Sequence, residues 1–148
     1  MMLNSITLIA AILLLIYHQL TTWLPLFPWN DLDNLSRKDI LLESCWNGTL
    51  MGLGVLSLFH GYTDGFKYYP LVYYPFLLTG EFFQWWLPYF SDNFAKSKYN
   101  FDYEPRYSRT LKFLPHEAGK RTPDANHTVL HLYTLVVLVL VFINFFHR

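Results

Sequence analysis

Apolar residues gather into four runs along the chain, and each run is about long enough to cross a lipid bilayer. A membrane-spanning helix needs roughly 20 predominantly apolar residues. The first run lacks a basic flank and an A-x-A-like cleavage site, so we interpret it as a retained helix. The pattern predicts an all-α, polytopic integral membrane protein, a single four-transmembrane-helix bundle over residues 1–148. Its spans lie at about 3–22, 41–60, 68–90 and 127–146.

Residues that begin or end helices lie between these runs. Pro25 follows the first run, and proline cannot continue a hydrogen-bonded turn. Ser36 is placed to cap the second helix, and either Asp124 or Asn126 is placed to cap the fourth. The third run contains Pro75, where we expect a bend, because membrane helices tolerate proline when neighbours satisfy the freed carbonyls.

The composition agrees with a membrane protein and excludes several other classes. Only 15% of the residues are charged, whereas about 25% are charged in a soluble domain. The formal net charge of zero argues against nucleic acid as the main partner. The single cysteine, Cys45, excludes an intramolecular disulfide and any CxxC redox or zinc motif.

The basic residues predict an orientation. Only Lys67 and Arg148 lie outside the two segments 23–40 and 91–126, which a four-span topology places on the same side. By the positive-inside rule, both segments are cytoplasmic and both termini lie outside. The prediction is therefore a long basic cytoplasmic loop, 91–126, between the third and fourth helices, in a bacterial inner membrane or an ER-type membrane.

Glu81 is the most informative polar residue, since it lies inside an aromatic run near the middle of the third span. A charge at that depth costs at least a few kcal/mol, and such residues are usually paired and functional. Polar residues of the other spans lie at a similar depth in the membrane. Glu43 and Asn47 are four residues apart, as are His127 and His131, so each pair shares a helix face. We therefore predict a cytoplasm-facing cavity lined by His18, Glu43, Asn47, Glu81, Gln84, His127 and His131, with Trp46 and Trp85 as candidate walls.

These side chains suggest chemistry as well as binding. Carboxylates and imidazoles transfer protons, so the candidate catalytic residues are Glu81, His131 and Glu43. The same groups can hold a metal ion in a helix bundle, although no HExxH, EF-hand or Cys-His motif supports a metal site. Each can also be a structural partner in an interhelical hydrogen bond. The candidate ligand-binding residues are Asn47, Gln84, Trp85, His127, His18, Arg106 and Arg109.

Loop 91–126 is predicted to cover the mouth of this cavity. Basic and aromatic residues alternate through its centre, and a loop of this length in a small protein is often functional. We expect Arg106, Arg109 and Phe113 to share one face of a short interfacial helix, with an anionic group as their partner. A positive-inside topology signal alone explains most of these charges.

Three classes of function fit these features. The leading hypothesis is a cavity that binds or chemically modifies a lipid or small amphipathic ligand. The second is an oligomeric transporter or channel in which Glu81 is a proton or cation site. The third is an accessory subunit of a larger membrane complex. Gly48 and Gly52 form a small-xxx-small pair that permits close helix approach within the chain or in a homo-oligomer.

Overall fold

The computed structural model describes residues 2–59, 65–91, 103–116 and 120–147, and these residues form helices and no strands. A 3-10 turn, Gly65–Tyr68, precedes the helix Tyr69–Glu81. A π-helical turn, Phe82–Trp86, joins that helix to the short helix Leu87–Phe90. We call the continuous stretch Tyr69–Phe90 the third long helix. The helices are α1 (Met2–Trp23), α2 (Arg37–Phe59), α3 (Tyr69–Glu81), α4 (Leu87–Phe90), α5 (Tyr103–Tyr107) and α6 (Ala125–Phe146).

The described residues therefore contain four long helices, as the apolar pattern predicts. Two of them, α1 and α6, are long and apolar enough to cross a membrane, with mean hydropathies of 1.7 and 2.5. Two such helices are weak evidence on their own, and four membrane spans stay a prediction. Of the predicted spans and basic segments, residues 60, 92–102, 117–119 and 148 lie outside the described part of the chain.

The four long helices pack as a ring. α1 contacts α2 and α6, and α3 contacts the same two helices from the opposite side. The half of the bundle away from segment 103–124 is filled with apolar side chains, which we call the apolar half. Its fully buried members are Leu14, Leu58, Tyr74, Val137 and Val141.

The two glycines of α2 differ in their surroundings. A side chain at Gly48 would meet Gln19 Nε2 at 2.7 Å, so this glycine permits the close approach of α1 and α2. Gln19 uses that proximity to accept a 2.6 Å hydrogen bond from the hydroxyl of Ser44. A side chain at Gly52 would meet nothing within 4 Å in the described part of the chain. Only the first glycine of the predicted pair makes a close helix contact.

The predicted helix caps are present. Ser36 Oγ accepts a 3.1 Å hydrogen bond from the backbone N–H of Asp39, and Asp39 Oδ2 accepts one from Ser36 N–H at 3.4 Å. This reciprocal pair is a capping box with an aspartate at the third position. Asp124 caps α6 by accepting a 2.9 Å hydrogen bond from His127 N–H, so it is the cap and Asn126 lies inside the helix.

Segment 103–116 is attached to the connection between α1 and α2. Arg109 donates to both carboxylate oxygens of Asp31, at 2.7 and 2.8 Å, and to Asp33 at 2.9 Å. The backbone N–H of Leu111 donates to Pro28 at 2.8 Å. We call the contact of Arg109 with the two aspartates the clasp. It holds the loop across one end of the bundle.

We predict that Asp31→Asn weakens the clasp at neutral pH, because Asp31 provides two of its three hydrogen bonds. Hydrogen bonds from Arg109 lower the pKa of Asp31 below its ordinary value of 3.8. A carboxyl with a lowered pKa stabilises the fold above that value and stops doing so as the pH falls through its folded pKa. The wild type should therefore unfold at a higher temperature than the variant at pH 7, and the difference should shrink as the pH falls below 3.8 and vanish only below the still lower folded pKa of Asp31.

Thermal unfolding in detergent across this pH range measures the effect, and Asp33→Asn is the matched control. Its side chain is 78% exposed and accepts one hydrogen bond from Arg109, so its loss should be smaller. Equal losses in the two variants at pH 7 would contradict the assignment of Asp31 as the main anchor.

Candidate functional site

A cavity of about 350 Å³ lies at the loop end of the bundle. All four long helices and the loop contribute to its wall. Nine of the ten sequence-predicted site residues line it, and the exception is Arg109. The nine are His18, Glu43, Asn47, Glu81, Gln84, Trp85, Arg106, His127 and His131. The roles assigned to them stay predictions.

Glu81 is buried, with 9% of its surface exposed, and its carboxyl group is short of partners. Oε1 accepts a 3.0 Å hydrogen bond from the hydroxyl of Thr134 on α6. That hydroxyl also lies 3.0 Å from the carbonyl of Leu130, and a hydroxyl has only one proton to donate. Oε2 has no hydrogen-bond partner among the described residues. Such a group is costly to bury, so a donor in the cavity would stabilise it.

His131 has a defined tautomer. The indole N–H of Trp86 lies 3.0 Å from its Nδ1, and an indole nitrogen can only donate. Nδ1 therefore accepts, and the neutral ring carries its proton on Nε2. Because His131 lines the cavity and is 4% exposed, it offers a positioned ring N–H donor there.

The π-helical turn lies at the contact that orients both α6 imidazoles. Trp85 and Trp86 are its last two residues. Trp85 stacks on His127 with ring centroids 3.8 Å apart, while Trp86 binds His131. π turns are rare and occur frequently at functional sites. The position of this turn therefore distinguishes the part of the third long helix that lies at the level of the cavity.

His127 is paired as well as stacked. Its Nδ1 lies 2.7 Å from Oδ1 of Asp124, whose side chain is 1% exposed. Burial alone would raise the pKa of Asp124, but the charge and hydrogen bonds of His127 hold that pKa below its ordinary value. Asp124 is thus a buried anion that caps α6 and orients an imidazole in the cavity wall.

The loop closes the cavity with aromatic and cationic side chains. Arg121 donates a 2.6 Å hydrogen bond to the carbonyl of Gln84 and lies over the Trp85 ring, 5.9 Å from its centroid. Arg106 lies 3.4 Å from Asp39, and Tyr107 packs edge-on against Trp85 with ring centroids 4.9 Å apart. Two guanidinium groups therefore line the loop side of the cavity, suited to a carboxylate or phosphate.

The sequence interpretation missed four polar residues that line the cavity. They are Tyr103 and Tyr107 on α5, Arg121 before α6, and Thr134 on α6. The spacing Tyr103-x-x-Arg106-Tyr107 is a signal that could have identified α5, since residues three and four apart share a helix face. Thr134 carries no comparable signal, because threonine is common in apolar helices.

Arg109 is placed differently from its prediction. α5 ends at Tyr107, so Arg106, Arg109 and Phe113 do not share one helix face. Arg109 turns to Asp31 and Asp33, and Phe113 packs edge-on against Trp29. Two carboxylates within hydrogen-bond distance hold the guanidinium of Arg109, which the spacing of basic residues did not show.

No group of three or more His, Cys, Asp or Glu side chains able to hold a metal ion occurs within residues 2–59, 65–91, 103–116 and 120–147. His127 pairs with a carboxylate and His131 with an indole, so each imidazole has another partner. Neither observation supports the metal alternative.

We predict that Asp124→Ala destabilises the protein by about 1–2 kcal/mol, because it removes the cap of α6. Asp124→Asn should cost clearly less, since asparagine also caps helices well but cannot form the charged contact with His127. Unfolding in detergent micelles measures both changes, and Ser36→Ala, which removes the cap of α2, is the control. Equal losses in the two Asp124 variants would show that the His127 contact outweighs the cap.

We further predict that Trp86→Phe releases the tautomer of His131, because phenylalanine keeps an aromatic ring but has no N–H to donate. Nitrogen NMR of labelled imidazole should then show a proton shared between Nδ1 and Nε2, whereas the wild type should show it on Nε2. Phe90→Leu, which removes the ring stacked on Trp86, is the control. An unchanged His131 signal in Trp86→Phe would contradict the assigned tautomer.

In the comparisons with known proteins, no family model, no curated protein and no solved structure matches this chain.

Proposed function

We propose that the protein is a four-span integral membrane protein with both termini outside and the loop end of the bundle in the cytoplasm. The hydropathy of α1 and α6 supports this topology. So does the exposure of large apolar side chains on the outside of the bundle, such as Leu13 on α1, Val72 on α3 and Leu132 on α6. Water-facing surfaces rarely carry such extended apolar area.

Within that topology, we propose that the cavity binds a lipid or small amphipathic ligand. The observation that carries this proposal is the buried Oε2 of Glu81, which lines the cavity and has no partner among the described residues. A hydroxyl or ammonium group of a ligand would supply the missing donor. Because a buried polar atom left without a partner costs about 1–3 kcal/mol, this contact alone gives the cavity a preference for a ligand that can hydrogen-bond to Oε2.

The same residues contain the groups that a chemical modification of the ligand needs. The carboxylate of Glu81 can take a proton, and the Nε2–H of His131 can give one. Glu43 lines the cavity from α2 and is exposed, so it can exchange protons with water. In this reading Glu81 and His131 are catalytic residues, and Gln84 and Asn47 position the ligand.

The apolar half of the bundle favours a binding cavity over a channel. Below the cavity, Leu14, Leu58 and Val137 are fully buried within the core cluster. A continuous polar path is what ion conduction needs, and this packing interrupts it within one chain. A transporter would still move its substrate across proteoliposomes, and an accessory subunit would be unstable without its partner. Flux assays and purification of the chain alone therefore separate the three classes.

We predict that Glu81→Gln lowers the amount of co-purifying lipid-like ligand by about tenfold or more, because the side-chain size is kept while an amide NH2 group replaces one carboxyl oxygen. Mass spectrometry of lipids extracted from the purified protein measures the retained ligand. Thr79→Val is the matched control. Thr79 lies on the same helix, outside the cavity, and its hydroxyl donates a hydrogen bond to the carbonyl of Pro75. Unchanged ligand content in Glu81→Gln would refute the proposed role of this carboxylate.

A further inference from the structure

The cavity reaches the outer surface of the bundle between α2 and the third long helix. Phe76, Gly80 and Gln84 line the cavity, and each is also exposed. They are four residues apart, so they form one stripe along the helix. Phe76 is 73% exposed, which is far more than a side chain turned only into a closed cavity. We call this stripe and the facing residues of α2 the lateral seam.

Gly80 keeps the lateral seam open. A side chain built there would meet no atom within 4 Å among the described residues. The absence of a side chain at an exposed cavity-lining position leaves a gap in the wall. Glu43 and Asn47 line the same cavity from α2, four residues apart on one helix face.

Polarity changes steadily along the lateral seam. At the loop end are the guanidinium groups of Arg106 and Arg121, with Gln84 next to them. At the other end the cavity is lined by Phe76, Leu77 and Met51. The stretch from residue 84 to residue 76 covers about 12 Å of helix axis. A ligand that matches this wall has an anionic group at one end and an apolar group at the other.

The size of the cavity indicates which part of such a ligand it encloses. Small-molecule pockets range over roughly 300–1,000 Å³, so about 350 Å³ is at the lower limit. A lipid head group fits this volume, whereas a long acyl chain does not fit in addition. The chain must therefore leave the cavity, and the lateral seam is the exit that ends at the apolar side chains Phe76, Leu77 and Met51.

We propose that the lateral seam is a portal for the acyl chain of a single-chain lipid with an anionic head group, a phosphate or a carboxylate. Arg106 and Arg121 bind the head group, the chain passes Gly80, and its remainder lies against the apolar surface around Phe76. This inference rests on the proposed ligand-binding function of the cavity and names its ligand class.

The first test fills the gap. In Gly80→Leu the new Cβ atom meets no described atom within 4 Å, so we expect the fold to be kept while the larger side chain blocks the exit. Gly52→Leu is the matched control, because Gly52 also has open space around it but does not line the cavity. The probes are a glycerophosphate lipid with one long acyl chain and glycerol phosphate without a chain, bound to the full protein in nanodiscs.

Gly80→Leu should weaken binding of the long-chain lipid by about tenfold, as expected when a fitted site loses room for part of its ligand. It should leave glycerol phosphate binding unchanged, and Gly52→Leu should change neither. Unchanged long-chain binding in Gly80→Leu would overturn the portal. A diazirine in the acyl chain gives an independent readout: labelling of the peptides that contain Met51 and Phe76 supports the portal, and labelling confined to α1 and α6 refutes it.

The second test addresses the head group. Arg121→Gln should weaken binding of the long-chain phosphate lipid by about tenfold, the loss typical of one charged hydrogen bond. Lys120→Gln, the adjacent basic residue outside the cavity, should leave it unchanged. A fatty acid of equal chain length separates the two head-group chemistries, since the tighter of the two ligands identifies the natural anion. If Arg121→Gln binds each of the two lipids as tightly as the wild type does, the proposed anion site is wrong.

The tests separate the portal from the function on which it rests. If Glu81→Gln reduces lipid binding and Gly80→Leu does not, the cavity binds lipid and the portal is refuted alone. If neither Glu81→Gln nor Arg121→Gln changes lipid binding, the proposed function is refuted together with the portal.

Discussion

The contact between the third long helix and α6 determines the form of the cavity. Three pairs connect these antiparallel helices: Glu81 with Thr134, Trp86 with His131, and Trp85 with His127. Each is a polar or aromatic contact in an otherwise apolar bundle, where an unsatisfied polar group is costly. The hydroxyl of Thr134 binds one side of the Glu81 carboxyl, and the indole of Trp86 binds one side of the His131 ring. The opposite side of each group is therefore available to the cavity. The π-helical turn lies where the two tryptophans make these contacts.

The loop has two separate tasks, and different arginines perform them. Arg109 binds the aspartates of the α1–α2 connection and fixes the loop across the bundle. Arg106 and Arg121 line the cavity beneath it. Since a guanidinium makes several directional hydrogen bonds, an arginine held by two carboxylates is committed to structure. The clasp therefore has a mechanical role, and it places the other two charges above the cavity.

The bundle is divided along its length, and this division favours an amphipathic ligand. The apolar half holds closely packed leucine, valine and tyrosine side chains, whereas the loop half holds the carboxyl, imidazole and guanidinium groups. Close packing in the first half provides a rigid base, and the second half leaves space because its large aromatic rings pack around the cavity and not across it. A ligand that is polar at one end and apolar at the other matches both halves.

The sequence by itself determined the number of long helices, the cap of α2 and the gathering of polar residues at one end, whereas the structure decided between Asp124 and Asn126 as the cap of α6. Apolar run length and helical spacing are local properties, and they sufficed for pairs such as Glu43 with Asn47. Tertiary structure alone decided that Arg109 joins the clasp, that Arg121 and Thr134 reach the cavity, and that Trp86 orients His131. These contacts join residues distant in sequence, and which donor finds which acceptor depends on how the helices pack. The residue pattern along the sequence does not contain that information.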